Sequence, residues 1–224
     1  DAAGNAAITN QSQSLPTGAA ARTIWLLNGT AAPGDDLLAG GAGDDLIFGQ
    51  LGNDTIRGDS YIDPAWTGWA SLQRSLDNTT DGDDYLEGNG GNDTIYGDLG
   101  QDDILGGSSD LYGLSTPALR ADGADTISGG DGTDTARNTM GDTSANGYAR
   151  DADVILGDNG RISRLVGTNG VSSGSFLQFN YDNTPEVTLH IIPRAVVELD
   201  YTPGTGSGND LGAADLIHGE AGDD

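Results

Sequence analysis

Along much of this chain a large aliphatic residue recurs two positions after an aspartate and several after a glycine. Gly40-Gly41-Ala42-Gly43-Asp44-Asp45-Leu46-Ile47-Phe48 shows the unit in full, as G-G-x-G-x-D-x-U-x with U a large aliphatic. The next nine residues, Gly49 to Arg57, keep Gly49, Gly52, Asp54 and Ile56. The frame fits again at Gly88–Tyr96 (Asp93, Ile95), Gly97–Leu105 (Asp102, Ile104) and Gly129–Arg137 (Asp134, with Ala136 at U). Partial copies place the sixth-position aspartate at Asp36, Asp84, Asp125, Asp153, Asp215 and Asp224.

Period and residue type together predict local structure. Glycines permit tight turns over the first six positions. The x-U-x triplet is a minimal strand in which only U points inward, because side chains alternate along a strand. Leu38, Ile47, Ile56, Leu86, Ile95, Ile104, Ile127, Ile155 and Ile217 then form one aliphatic stack. A single strand and turn bury nothing alone, so successive coils must stack. The fold expected is all-β, a right-handed parallel β-roll (a β-solenoid), with loop or helical insertions and a small antiparallel sheet.

The remaining segments read differently. Residues 1–33 form an N-terminal segment, Ala/Ser/Gln-rich and frayed over 1–22, ending in a strand at Thr23–Asn28 that caps the first coil. The roll occupies 34–160, interrupted at 61–81, 109–122 and 141–150. Trp66, Trp69, Leu72 and Leu76 suit a short amphipathic helix packed over Leu46 and Phe48. Leu111, Tyr112, Leu114 and Leu119 suit packing on the roll as well. Asn159-Gly160 is a hairpin signal that would pair Val154–Leu156 with Arg161–Val166. Phe176–Tyr181, Glu186–Ile192 and Ala195–Tyr201 follow as strands, with Asp182-Asn183 as a turn, so 161–207 is expected to be an antiparallel insertion. Repeats resume over 208–224. The chain begins at Asp1 without Met and stops inside a repeat, which reads as a fragment or a processed piece.

Composition sharpens this reading. Against 35 Asp+Glu stand only 9 Lys+Arg, a net charge of −26. Nucleic acid is excluded as a partner because phosphate neutralisation needs clustered cations. Direct membrane insertion is excluded too, as no stretch approaches ~20 apolar residues. Cysteine is absent, which rules out disulfides and thiolate metal sites. The two histidines, His190 and His218, sit in no zinc or nucleophile motif, and the Asp63-Pro64 peptide reads as ordinary turn chemistry. The seventh-position column is too irregular for an ice-binding face. No enzyme is expected in these residues.

The nonapeptides resemble the calcium-binding repeats of RTX, or hemolysin-type, proteins. That resemblance implies two nonapeptides per coil and a calcium between turns two repeats apart, so that same-edge aspartates are eighteen residues apart in sequence. Asp36/Asp54 and Asp84/Asp102 obey directly. Asp54 to Asp93 is 39, or 18 plus the 21 of the first insertion; Asp93 to Asp125 is 32, or 18 plus the 14 of the second. Asp134 to Asp153 is 19, one repeat of nine plus the ten of the third. The candidate ligands for several Ca²⁺ ions are thus Asp36, Asp45, Asp54, Asp84, Asp93, Asp102, Asp125, Asp134, Asp153, Asp215 and Asp224, with the turns opened by Gly40, Gly49, Gly88, Gly97 and Gly129. Oxygen-only turns suit a hard cation, and about six to nine calcium ions would cancel about half or more of the charge. The resemblance further implies an extracellular or cell-surface location reached by type I secretion, with folding triggered by calcium. The favoured use is a structural segment of an adhesin, S-layer or fibre, touching neighbouring copies or other surface proteins. The alternative is a secretion and folding module for a hydrolase or toxin whose active domain lies elsewhere.

Overall fold

The computed structural model describes residues 6–8, 24–26, 33–68, 75–136, 147–168, 175–178, 189–202, 210–220, 222 and 224. Short strands predominate, with one 3₁₀ turn at Pro117–Leu119 and one four-residue helix at Gly147–Arg150. Five strands form one parallel sheet: β2 (Leu37–Ala39), β4 (Thr55–Arg57), β6 (Thr94–Tyr96), β8 (Thr126–Ser128) and β12 (Leu216–His218). Four alternate with them in a second parallel sheet: β3 (Leu46–Leu51), β5 (Tyr85–Gly90), β7 (Asp103–Leu105) and β9 (Val154–Leu156). A third sheet is antiparallel, with β10 (Gly160–Gly167) between β1 (Ala6–Ile8) and β11 (Arg194–Glu198).

The U positions align without slippage. Leu38, Ile56, Ile95, Ile127 and Ile217 are register partners in the first sheet, and Ile47, Leu86, Ile104 and Ile155 in the second. Ile56, Leu86, Ile95, Ile104 and Ile127 are fully buried as one cluster, flanked by Leu38, Ile47 and Ile155. The roll's interior is therefore one side chain deep per strand. The coils lie so close that some turn positions exclude a β-carbon. At Gly91 (φ +136°) a Cβ would sit 1.6 Å from the Gly52 carbonyl oxygen, and at Gly52 (φ +149°) 1.9 Å from that of Gly34.

A second core lies on the outer face of the four-stranded sheet. Tyr85, Leu105 and Ile162 are buried there, packed by Phe48, Tyr112, Val154 and Leu156. The cover comes from β10 and the second insertion, not from the first. Phe48 meets Tyr112 edge-on at 4.8 Å between ring centres, whereas Leu76 of the first insertion is exposed and Leu46 is partly so. Trp66 is not helical, and Trp69 and Leu72 lie outside the described residues. The apolar outer positions of this sheet explain the difference, because Phe48, Tyr85, Leu105 and Leu156 flank its inward aliphatics and need a cover of their own.

Three other expectations change. Val154–Leu156 pairs in parallel with β7, not with β10, since only that register keeps Ile155 in the stack. Ile24–Leu26 forms no strand; the Leu26 amide donates to the Tyr112 carbonyl at 2.7 Å. The repeat carrying Asp134 leaves the roll: its residues form no strand, and Asp134 is exposed. Of the expected antiparallel strands, β11 forms, Phe176 makes a single bridge to Val166, and 179–188, including Asp182-Asn183, lie outside the described residues. β1 comes from the segment expected to fray.

Arginine ties the antiparallel sheet to the roll. Arg164 donates to Asp103 and Asp83, both at 3.0 Å, and Arg194 donates to the other oxygen of Asp103 at 2.9 Å. Arg120 grips Asp200 with two bonds of 2.6 and 2.7 Å, and Arg161 grips Asp110. The Arg120–Asp200 pair and the pairs of Arg164 and Arg194 with Asp103 are buried, and such charge-assisted bonds fix geometry strongly. Losing one partner of a buried pair typically costs ~3–5 kcal/mol, because a charge is left uncompensated.

Ile95→Ala, in the middle of the stack, is expected to lower unfolding stability in calcium-containing buffer by about 2–5 kcal/mol. Leu216→Ala, on an exposed outer position, should change it by no more than about 0.5 kcal/mol. Urea denaturation followed by circular dichroism checks both.

Candidate metal centre

Each turn of the roll pairs a glycine two residues after an inward aliphatic with an aspartate further on, which in eight of the nine pairs directly precedes the next strand. The pairs are Gly40/Asp45, Gly49/Asp54, Gly58/Asp84, Gly88/Asp93, Gly97/Asp102, Gly106/Asp125, Gly129/Asp153, Gly157/Asp215 and Gly219/Asp224, and in each the aspartate Oδ2 closes on the glycine Cα. The insertions, including the whole stretch that carries β10 and β11, lie inside these turns. The glycine and aspartate are thus brought together whatever length of chain intervenes. Gly58, Gly106, Gly157 and Gly219 escaped the nonapeptide frame because three of them precede insertions and the last opens an incomplete repeat. Their signal was available, since each follows an x-U-x strand at once.

The aspartates form two ladders. On one edge the amides of Asp36, Asp54, Asp93 and Asp125 donate to the Oδ1 of Asp54, Asp93, Asp125 and Asp215, at 2.7 to 2.9 Å. On the other, Asp45, Asp84, Asp102 and Asp153 donate to Asp84, Asp102, Asp153 and Asp224, at 2.7 to 3.3 Å. Ten of the eleven sixth-position aspartates stand in these ladders. Asp134 does not; its amide bonds Glu220 instead. The roll passes from Asp102 to Asp153 across 51 residues, so the third insertion is longer than the ten residues read from the sequence.

One oxygen of each inner aspartate is bonded and the other is not. The Oδ2 atoms of Asp54, Asp84, Asp93, Asp102, Asp125 and Asp153 are buried without a hydrogen-bond partner. Each lies in a cradle that a β-carbon would fill, beside a carbonyl of the next coil. A Cβ on Gly49 would stand 2.6 Å from Asp54 Oδ2 and 2.7 Å from the Gly88 oxygen; on Gly88, 2.4 Å from Asp93 Oδ2 and 2.5 Å from the Gly106 oxygen. Orphaned carboxylate oxygens of this kind are costly unless something positive meets them. Among the described residues no three acidic or imidazole side chains form a ready-made cage. Any ion in these turns must therefore draw on backbone carbonyls as well as aspartate.

The electrostatics agree. Burial pushes Asp93 and Asp125 up to about 7 and Asp84 to about 9, the last with help from Asp59. Asp102 and Asp153 lie well above the usual carboxylate range, through burial and then through their ladder neighbours. Asp45, Asp54 and Asp215 are raised chiefly by burial as well. A bare, fully ionised ladder is unfavourable, and a divalent cation reverses that balance. The donors are all hard oxygens, which fits calcium by chemistry.

The family model described as RTX calcium-binding nonapeptide repeat matches the chain in four copies, over residues 30–60, 78–110 and 121–137. No curated protein and no solved structure matches. The matched segments supply β2 to β8 and their turns, and the same ladder geometry runs on through β9 and β12. The segments matched between residues 30 and 137 of this chain are RTX calcium-binding nonapeptide repeats, a module that binds several calcium ions and is structural rather than catalytic.

Proposed function

We propose that the two aspartate ladders hold calcium ions between successive coils, and that this binding is what folds the roll. The observation that carries the reading is the row of buried, partnerless Oδ2 atoms, each beside a glycine carbonyl one coil away. Calcium would be shared by ladder neighbours such as Asp54 and Asp93, or Asp84 and Asp102, with first-position carbonyls such as those of Gly88 and Gly97 completing its oxygen shell. Because these oxygens converge only in the stacked roll, ion-binding free energy adds directly to folding free energy. Extracellular calcium modules work at ~10⁻⁴–10⁻³ M, which would leave the chain unfolded at cytosolic calcium and folded outside.

RTX repeats typically occur in secreted proteins. Among the described residues no helix is long and apolar enough to cross a membrane. We place the chain outside the cell, as a structural segment of an adhesin, S-layer or fibre, delivered by type I secretion. Support comes from the way its non-repeat parts are built in. The antiparallel sheet is clamped to the roll by Arg164 and Arg194, and exposed Val196 and Val197 on β11 offer apolar surface for lateral contact.

The raised aspartates set the pH dependence. A carboxyl group with a folded-state pKa above its unfolded value of about 4 favours folding when protonated. That contribution is complete below about pH 4 and is lost as pH rises through the folded value. With Asp93 and Asp125 near 7 and Asp84 near 9, the ion-free roll weakens between pH 4 and 9.

Millimolar calcium is expected to convert the chelated chain from coil to β structure by circular dichroism, with chelator reversing the change and magnesium failing to reproduce it. A fold indifferent to chelator would refute the reading. In chelator the β signal should be larger at pH 5 than at pH 8.5, and saturating calcium should abolish that difference. Asp93→Ala, which removes a shared rung of one ladder, should raise the calcium midpoint of folding several-fold. Asp134→Ala should leave it within about twofold, and equal shifts for the two would contradict the ladder assignment.

A further inference from the structure

A second acidic column runs beside one ladder, at turn positions where the nonapeptide ordinarily carries glycine. Tyr96 is the register partner of Arg57, so Asp59 and Asp98, each two residues further on, occupy equivalent places on adjacent coils. Adjacent strands are ~4.8 Å apart, so these two turn positions lie one above the other. The neighbouring positions of the column are Gly41 on one side and Gly130 on the other, so the acids are stacked only here.

Both residues are fully buried, and each uses one oxygen only. Asp59 Oδ2 accepts from the Gly82 amide at 3.1 Å, and Asp98 Oδ2 accepts from Ser75 Oγ at 2.6 Å. Both donors belong to the first insertion or its return to the roll. Asp59 Oδ1 and Asp98 Oδ1 are buried with no partner. Asp81 closes the group: its carboxylate accepts from the Asn78 amide at 2.5 Å and from the amide of Leu99, the residue after Asp98. Asp131 is a further acidic neighbour of Asp98, while Arg57 is the basic one and Arg150 neighbours Asp81. Acid outnumbers base around the pair. A buried carboxylate oxygen without a donor is a group awaiting a cation.

We infer that Asp59 and Asp98 bind a divalent cation, calcium by the hardness of their oxygens, at a site separate from the nonapeptide ladders. The inference rests on the proposed calcium function and adds a role for the first insertion. Its Ser75 and its re-entry at Asp81-Gly82 orient the two carboxylates, so the ion staples the insertion to the roll. Water completes the shell, because two carboxylates supply only part of the six to eight oxygens that calcium takes.

The test is bound calcium per chain by elemental analysis after dialysis against millimolar calcium, for the full chain and for Asp59→Asn and Asp98→Asn. Each variant is expected to hold one ion fewer, with its calcium midpoint of folding within about twofold of the parent's. An unchanged count, accompanied by greater stability in chelator, would overturn the inference, since removing a merely repulsive buried charge stabilises. A parent chain that holds no calcium would instead overturn the proposed function. Should either variant fail to fold, a crystal of the parent chain grown in calcium decides. A metal peak about 2.3–2.6 Å from both Oδ1 atoms supports the site, whereas the Arg57 guanidinium or water filling that place refutes it.

Discussion

The roll depends on closing its turns with aspartate carboxylates, six of which bury a second oxygen that accepts no hydrogen bond. Every coil repeats that closure on both edges, so buried negative charge accumulates at one strand spacing. Interior packing cannot offset it alone, because each coil contributes only a pair of aliphatic side chains to the core. On the function proposed above, calcium in the turns would supply the missing attraction where the repulsion is concentrated. Ion binding would then add directly to stability, offsetting the self-repulsion of a chain with −26 net charge.

The same closure explains how the fold tolerates long interruptions. Because a glycine and an aspartate meet at the base of each turn, the segment between them is free in length. It ranges from four residues between Gly40 and Asp45 to the stretch from Gly157 to Asp215 that contains two strands of another sheet. Insertions of this kind can acquire their own roles without disturbing the stack. The second insertion and β10 cover the aromatic outer face, and the arginines of β10 and β11 neutralise Asp103, which would otherwise be an uncompensated acid on a buried strand.

Much of the architecture was legible in the sequence because its determinants are local and periodic. The spacing of Leu38, Ile56 and Ile95 against Ile47, Leu86 and Ile104 follows from a side-chain period of two within strands and a repeat of nine between them, and neither depends on anything distant. Spacing also carried the aspartates of the first two insertions to their edges. Tertiary structure decided what local pattern leaves open. Val154–Leu156 had two partners on offer, a hairpin with β10 or a parallel match to β7, and burial of Ile155 selected the second. Asp134 satisfies the motif as well as its neighbours do, yet with Ala136 in place of a large aliphatic its strand buries too little to hold a coil, and Asp153 with Ile155 takes that position. The 39 residues between Asp59 and Asp98 follow from the same period and first insertion, but the bonds from Gly82 and Ser75 to their carboxylates arise only when that insertion folds back.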